Sequence, residues 1–196
     1  SFKYGVQTDW FTWNHNGQTM RSFTLGKTGN AANLLIDKAI TAAGPISMYG
    51  GVITLNTALT SSDTGNIFLK SISNDVLGIS NNSIITKSGG TGVLTMQGNS
   101  TVKSGNTITT SGTGKLDVVL WSDFDNTNND GGVGFDGTIS TNGGHVWMGG
   151  SNSNGGSYIW NGLTVGNGPS IGTSNSNNYA MDFFGNITTN GGDVLA

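Results

Sequence analysis

Few residues in this chain can do covalent or proton-transfer chemistry. It has no cysteine, no glutamate, one arginine (Arg21) and two histidines (His15 and His145). A thiolate nucleophile is therefore excluded. His145 directly precedes the apolar Val146 in an alternating stretch, which predicts an outward, solvent-facing imidazole. The eleven acidic groups are all aspartates and are scattered along the sequence. Cleaving a polysaccharide calls for paired carboxylates on one face. Asp117 and Asp136, which flank the same loop, are the two that could approach each other across neighbouring repeats, and no catalytic residue is assigned.

The densest group of oxygen donors is the stretch 122–132. Asp123, Asp125, Thr127 and Asn129 alternate, and Asp130 follows. Hard oxygen ligands at every second position suit Ca²⁺. The stretch lacks the glycine at the sixth position and the glutamate at the twelfth that complete an EF-hand loop. The same residues also build turns through side-chain to backbone bonds, without any metal. No other cofactor is expected. Trp147, Tyr158 and Trp160 are the candidates for stacking on a sugar ring. Trp147 lies between Val146 and Met148 and so faces away from both. It is then either open to a ligand or packed beneath the loop 149–157.

The composition limits what can position these groups. Charged residues are 10 % of the chain and glycines number 33. Asparagine, serine and threonine fill the space that charge normally takes, and they favour turns and strands over helices. The 5 Trp and 8 Phe, with 34 % apolar residues overall, are enough to bury a core. An all-β chain follows. A net charge of −3 gives no basic footprint for nucleic acid. No apolar run reaches the roughly 20 residues that span a bilayer.

One phrase recurs: an aliphatic residue with Thr or Ser, a glycine-containing turn, then an apolar residue, any residue, and Met or Leu. The leading aliphatic residues are Ile40, Leu59, Ile85, Ile108, Ile139 and Ile187, separated by 19, 26, 23, 31 and 48 residues. The long last interval predicts a degenerate copy between, at Leu163-Thr164-Val165 with Ile171. A third short strand precedes each phrase, as in Val52–Leu55, Val133–Phe135 and Met181–Phe183. Three short strands per repeat with period-2 apolar spacing describe one coil of a parallel β-helix. About seven coils are expected over 34–196, with Ile40, Leu59, Ile85, Ile108, Ile139, Ile171 and Ile187 stacked in one ladder. Met48, Leu69, Met96, Leu120 and Met148 should form a second. Residues 1–33, with Trp10-Phe11-Thr12-Trp13, read as a preceding coil or a cap.

The phrases Ile139-Ser140-Thr141-Asn142-Gly143-Gly144-His145-Val146 and Ile187-Thr188-Thr189-Asn190-Gly191-Gly192-Asp193-Val194 resemble filamentous-haemagglutinin-type repeats. So does Val118-Val119-Leu120-Trp121-Ser122-Asp123 with its Asp/Asn loop. The wider likeness is to giant repetitive adhesins of bacterial surfaces, including those of gliding bacteria. It covers 34–196. It implies a right-handed β-helix, secretion to the cell surface, and adhesion to surface glycans or another cell-surface protein without enzymatic activity. A carbohydrate-binding or carbohydrate-cleaving β-helix, of lyase or tailspike type, is the alternative. The chain begins without an initiator Met and stops at Val194-Leu195-Ala196 inside a strand pattern. Further repeats, or a partner, are expected at that C-terminal end.

Overall fold

The structure is a computed structural model that describes residues 4–5, 19–72, 77–79, 83–99, 102–104, 107–125, 131–151, 155–170 and 180–196. No helix occurs among them, and the strands form three parallel sheets and one antiparallel pair.

Sheet A holds Tyr4–Gly5, Leu34–Ile36, Ile53–Leu55, Leu77–Ile79, Val102–Ser104, Val133–Phe135 and Met181–Phe183. Sheet B holds Ile40–Ala42, Leu59–Ser61, Ile84–Lys87, Thr107–Thr110, Thr138–Ser140 and Asn186–Thr188. Sheet C holds Phe23–Leu25, Ile46–Gly50, Ile67–Ser71, Thr91–Gly98, Lys115–Trp121, Val146–Gly149 and Val194–Leu195. From Leu34 to Gly149 the chain visits A, B and C in strict rotation, and each strand pairs with the next of its own sheet. The first strands of sheets A and C lie inside the segment 1–33, so its described part is continuous with the stack. The aromatic run at 10–13 lies outside the described residues.

Parallel pairing puts like positions side by side. Ile40, Leu59, Ile85, Ile108, Ile139 and Ile187 form one unbroken row across sheet B. Met48, Leu69, Met96, Leu120 and Met148 form another across sheet C. Ile46, Ile67, Leu94, Val118 and Val146 run parallel to it, two residues earlier. Together with Leu55, Val102 and Phe135 of sheet A, these rows make one buried core. Burying each large aliphatic side chain stabilises by about 1.5–3 kcal/mol.

Two rows at the corner between sheets B and C carry the turns. The position two residues after the core aliphatic of sheet B points inward and is polar in most repeats. Ser61 donates to Gly44 O at 3.1 Å, and Thr141 and Thr189 each donate to the carbonyl three residues on, at 2.6 Å. Lys87 occupies this position with its side chain fully buried. Its ammonium donates to Ser61 Oγ at 2.8 Å, to Gly65 O at 2.9 Å, and to Asp63 O. Burial lowers the Lys87 pKa, and the nearby Asp63 charge partly opposes that shift. In the second row, a Cβ on Gly92, Gly144 or Gly192 would run into the carbonyl oxygen of Gly65, Leu116 or Gly144 of the strand before. At these three positions the turns approach too closely for a side chain, whereas Leu116, aligned with Gly92 in the same row, carries a buried one.

The interval between Ile139 and Ile187 holds no further copy of the repeat at Leu163. Leu163–Gly166 pairs antiparallel with Ser157–Trp160, outside all three parallel sheets. Sheet B thus has six strands, where the spacing predicted seven ladder positions. Ile171 lies outside the described residues. The Leu-Thr-Val alternation fits either kind of strand, but Asn161-Gly162 between two apolar runs is the signature of a two-residue hairpin. Both turn residues have positive φ, 48° and 81°, as a type I′ turn requires.

Ile108 is fully buried in the middle of its row. Replacing it by Ala is expected to lower unfolding stability by about 2–5 kcal/mol, measured by chemical denaturation. A loss below about 1 kcal/mol would place Ile108 on the solvent face and shift the register by one residue.

Candidate functional site

Sheet C carries the aromatic candidates Trp147 and, through the hairpin packed on it, Tyr158 and Trp160. Its outward positions mix polar and aromatic residues in the early strands and are apolar in the later ones. Ser47, Phe68, Thr95, Val119 and Trp147 align in one row, and Tyr49, Lys70, Gln97 and Trp121 in the next. An all-polar outer face does not hold here, because the hairpin 157–166 lies over its apolar end. Leu163 and Val165 pack on Val119, Trp121 and Trp147 in a second, smaller core, with Val93, Phe124 and Trp160 at its edge. Trp121 and Trp147 meet edge to face at 6.3 Å, and Trp121 Nε1 donates to Ser151 Oγ at 3.0 Å.

This arrangement sorts the aromatic candidates. Trp147 faces away from the main core but is 3 % exposed, so it is a packing residue and cannot stack on a ligand. Tyr158 is 41 % exposed, and it borders a cleft of about 360 Å³ with Trp147, Asn167, Pro169 and Leu195. Trp160 is half-buried and stands edge-on to His145 at 5.7 Å. On the hairpin's other face Ile159 is 66 % exposed, opposite Thr164. Nearer the N-terminus Tyr49 and Phe68, both half-buried on the outer face of sheet C, contact each other at 5.6 Å. A groove of about 500 Å³ runs beside them, lined by Pro45, Thr64, Asn66, Thr91, Val93 and Asp117.

The acidic loop is described only in part. Asp123 is buried with φ 46°, and Asp125 is half-buried. Lys70 reaches this loop, with its ammonium 3.9 Å from the centre of the Phe124 ring. Burial lowers the Lys70 pKa, and the Asp125 charge opposes that shift. Thr127, Asn129 and Asp130 lie outside the described residues. No group of three or more His, Cys, Asp or Glu side chains that could hold a metal ion occurs among the described residues.

The proposed carboxylate pair stands at two different corners. Asp117 begins the outward row of sheet C, where its Oδ1 accepts the His145 backbone N–H at 2.7 Å. Asp136 is exposed and directly follows the sheet A strand Val133–Phe135. His145 faces outward, as alternation predicted, but its ring is engaged and only a quarter exposed. Its Nδ1 accepts the Asp193 backbone N–H at 2.9 Å, and Asn161 Nδ2 lies 3.2 Å away. With that lone pair facing two donors, Nδ1 is not available as a general base. Neither the His145 contacts nor the burial of Lys87 had a local sequence signal, because both depend on residues from other repeats.

Comparison with protein-family models, with curated proteins and with solved structures found no match for this chain.

The second core generates a direct test. Val165→Asp places an unpartnered carboxylate among Val119, Trp121 and Trp147. The amides of 157–166 are expected to lose hydrogen-exchange protection, while those around Met96 and Ile108 keep theirs. Unchanged protection in the hairpin, or equal loss in both regions, would contradict its placement as a separate layer.

Proposed function

We propose that the three sheets are the faces of a right-handed parallel β-helix, and that this chain is a length of an exported bacterial surface adhesin. Its work is extension and contact rather than catalysis. The observation that supports this reading best is the in-register row from Ile40 to Ile187, in which each repeat is the template for the next. Such a stack lengthens by adding copies, as an extended surface protein requires. The repeat phrases around Asn142 and Asn190, which resemble haemagglutinin-type repeats, agree with it.

The contact surface in this reading is the outer face of sheet C. Tyr49 and Phe68 supply an aromatic floor there, and Gln97, Thr95 and Ser47 stand beside them with hydrogen-bonding groups. Aromatic rings flanked by neutral donors and acceptors suit surface glycans, which present both apolar ring faces and hydroxyls. Calcium at the Asp123–Asp130 loop is an accessory of this proposal, not a requirement.

Beads coated with the chain are expected to adhere to a mucin-coated surface under flow. Beads carrying a Tyr49→Ala, Phe68→Ala variant should detach at lower shear. Equal retention of the two, or release of new reducing ends from the glycan, would overturn the reading.

A further inference from the structure

We propose that His145 is an acid-sensitive latch: its neutral imidazole reinforces the joint between the tip of the 157–166 hairpin and the strand Val194–Leu195, and protonation withdraws the ring from that joint. The inference rests on three residues that do the same task at equivalent positions. Asn66, Asp117 and His145 each sit one residue ahead of the core aliphatic of sheet C in successive or nearby repeats. Asn66 Oδ1 accepts the Val93 backbone N–H at 2.9 Å. Asp117 Oδ1 accepts the His145 N–H at 2.7 Å. His145 Nδ1 accepts the Asp193 N–H at 2.9 Å.

The three acceptors differ in one chemical respect. An amide oxygen does not titrate, and a carboxyl group keeps an acceptor oxygen in either protonation state. An imidazole nitrogen becomes a donor when protonated, and histidine is the side chain that changes charge between about pH 5 and 8. Of the three acceptors, the one at His145 alone is lost when its side chain takes up a proton.

The surroundings of the ring fix the sign of the effect. Both groups that face Nδ1 are donors: the Asp193 backbone N–H, whose hydrogen is fixed, and the Asn161 side-chain amide at 3.2 Å, which its bond to Asp193 Oδ2 keeps turned as a donor. The neutral ring therefore carries its hydrogen on Nε2. Protonation sets a third N–H against these two. The charged groups facing the ring are Asp117 from the preceding strand and Asp193 from the following one; the hairpin contributes Trp160 and Asn161, which do not ionise. Asp193 Oδ2 lies 3.5 Å from Nδ1 and offers partial compensation. That oxygen already accepts Asn161 Nδ2 at 2.6 Å, and the carboxylate is 68 % exposed. A solvated pair of this kind contributes little, so the imidazolium exchanges two hydrogen bonds for one weak ion pair, and the Asn161–Asp193 side-chain bond is left as the polar tie between tip and strand.

The test is an NMR titration of the whole chain from pH 8 to pH 5. The His145 ring nitrogens are expected to report Nε2–H at the upper end. The Asp193 backbone amide and the Asn161 side-chain amide should shift together with the ring. Exchange protection at Asp193, corrected for intrinsic rates, should fall about fivefold or more. His145→Asn supplies the acceptor found at Asn66 and cannot titrate, so its Asp193 protection should stay constant across the range. Constant protection in the unaltered chain, or an equal fall in His145→Asn, would overturn the latch. If the variant does not fold, the ring nitrogens of the unaltered chain decide: a neutral ring bearing its hydrogen on Nδ1 also overturns it.

Discussion

Everything in this molecule follows from one constraint, the in-register parallel pairing of each strand with the next of its sheet. Parallel partners cannot be joined by a tight turn, so the chain must travel through two other sheets before it returns. That return brings chemically equivalent positions into contact. Aliphatic residues meet aliphatic residues along Ile40 to Ile187 and Met48 to Met148. A side chain one residue out of phase would be turned to the opposite face along with its neighbours.

The same constraint governs the corners. Where the turn between sheets B and C closes, the carbonyl of one repeat lies where the Cβ of the next would be, and glycine recurs at 92, 144 and 192. Inward polar groups then serve carbonyls rather than solvent. A hydroxyl suffices at Ser61, Thr141 and Thr189, while at Lys87 an ammonium spans three acceptors at once. The cost of burying that charge is met by full hydrogen bonding, as a buried cation requires. The 157–166 hairpin adds a second layer on one sheet and connects two repeats through His145, Asn161 and Asp193.

Much of the frame was legible in the sequence because the repeated feature is local. An apolar residue at every second position identifies a strand and its buried face, and recurrence of the phrase aligns one copy with the next. Both core rows were readable in this way, except that Ile171 was expected in the sheet B row between Ile139 and Ile187, which pair with each other directly. What the pattern does not encode is the partner of a strand. Leu163-Thr164-Val165 alternates as the sheet strands do, yet it pairs with Ser157–Trp160 because Asn161-Gly162 turns the chain back at once. Trp147 was legible as outward but not as covered, since its cover comes from Leu163 and Val165 after a long insertion. The contacts of His145 and Lys87 were hidden for the same reason: their partners lie 16–48 and 22–26 residues away.

The claim that equivalent positions of the repeats stack in register can be measured directly. Thr41, Thr60, Thr86, Thr109, Ser140 and Thr188 follow the core row of sheet B and point away from the core. The chain has no cysteine of its own, so pairs of spin labels can be placed at Thr41 and at one other member of the row. Neighbouring strands lie about 4.8 Å apart, so electron–electron distances from Thr41 should grow in even steps, to about 14 Å at Thr109, about 19 Å at Ser140 and about 24 Å at Thr188. Distances that fail to increase from Thr109 to Ser140 to Thr188 would contradict the stack and the account built on it.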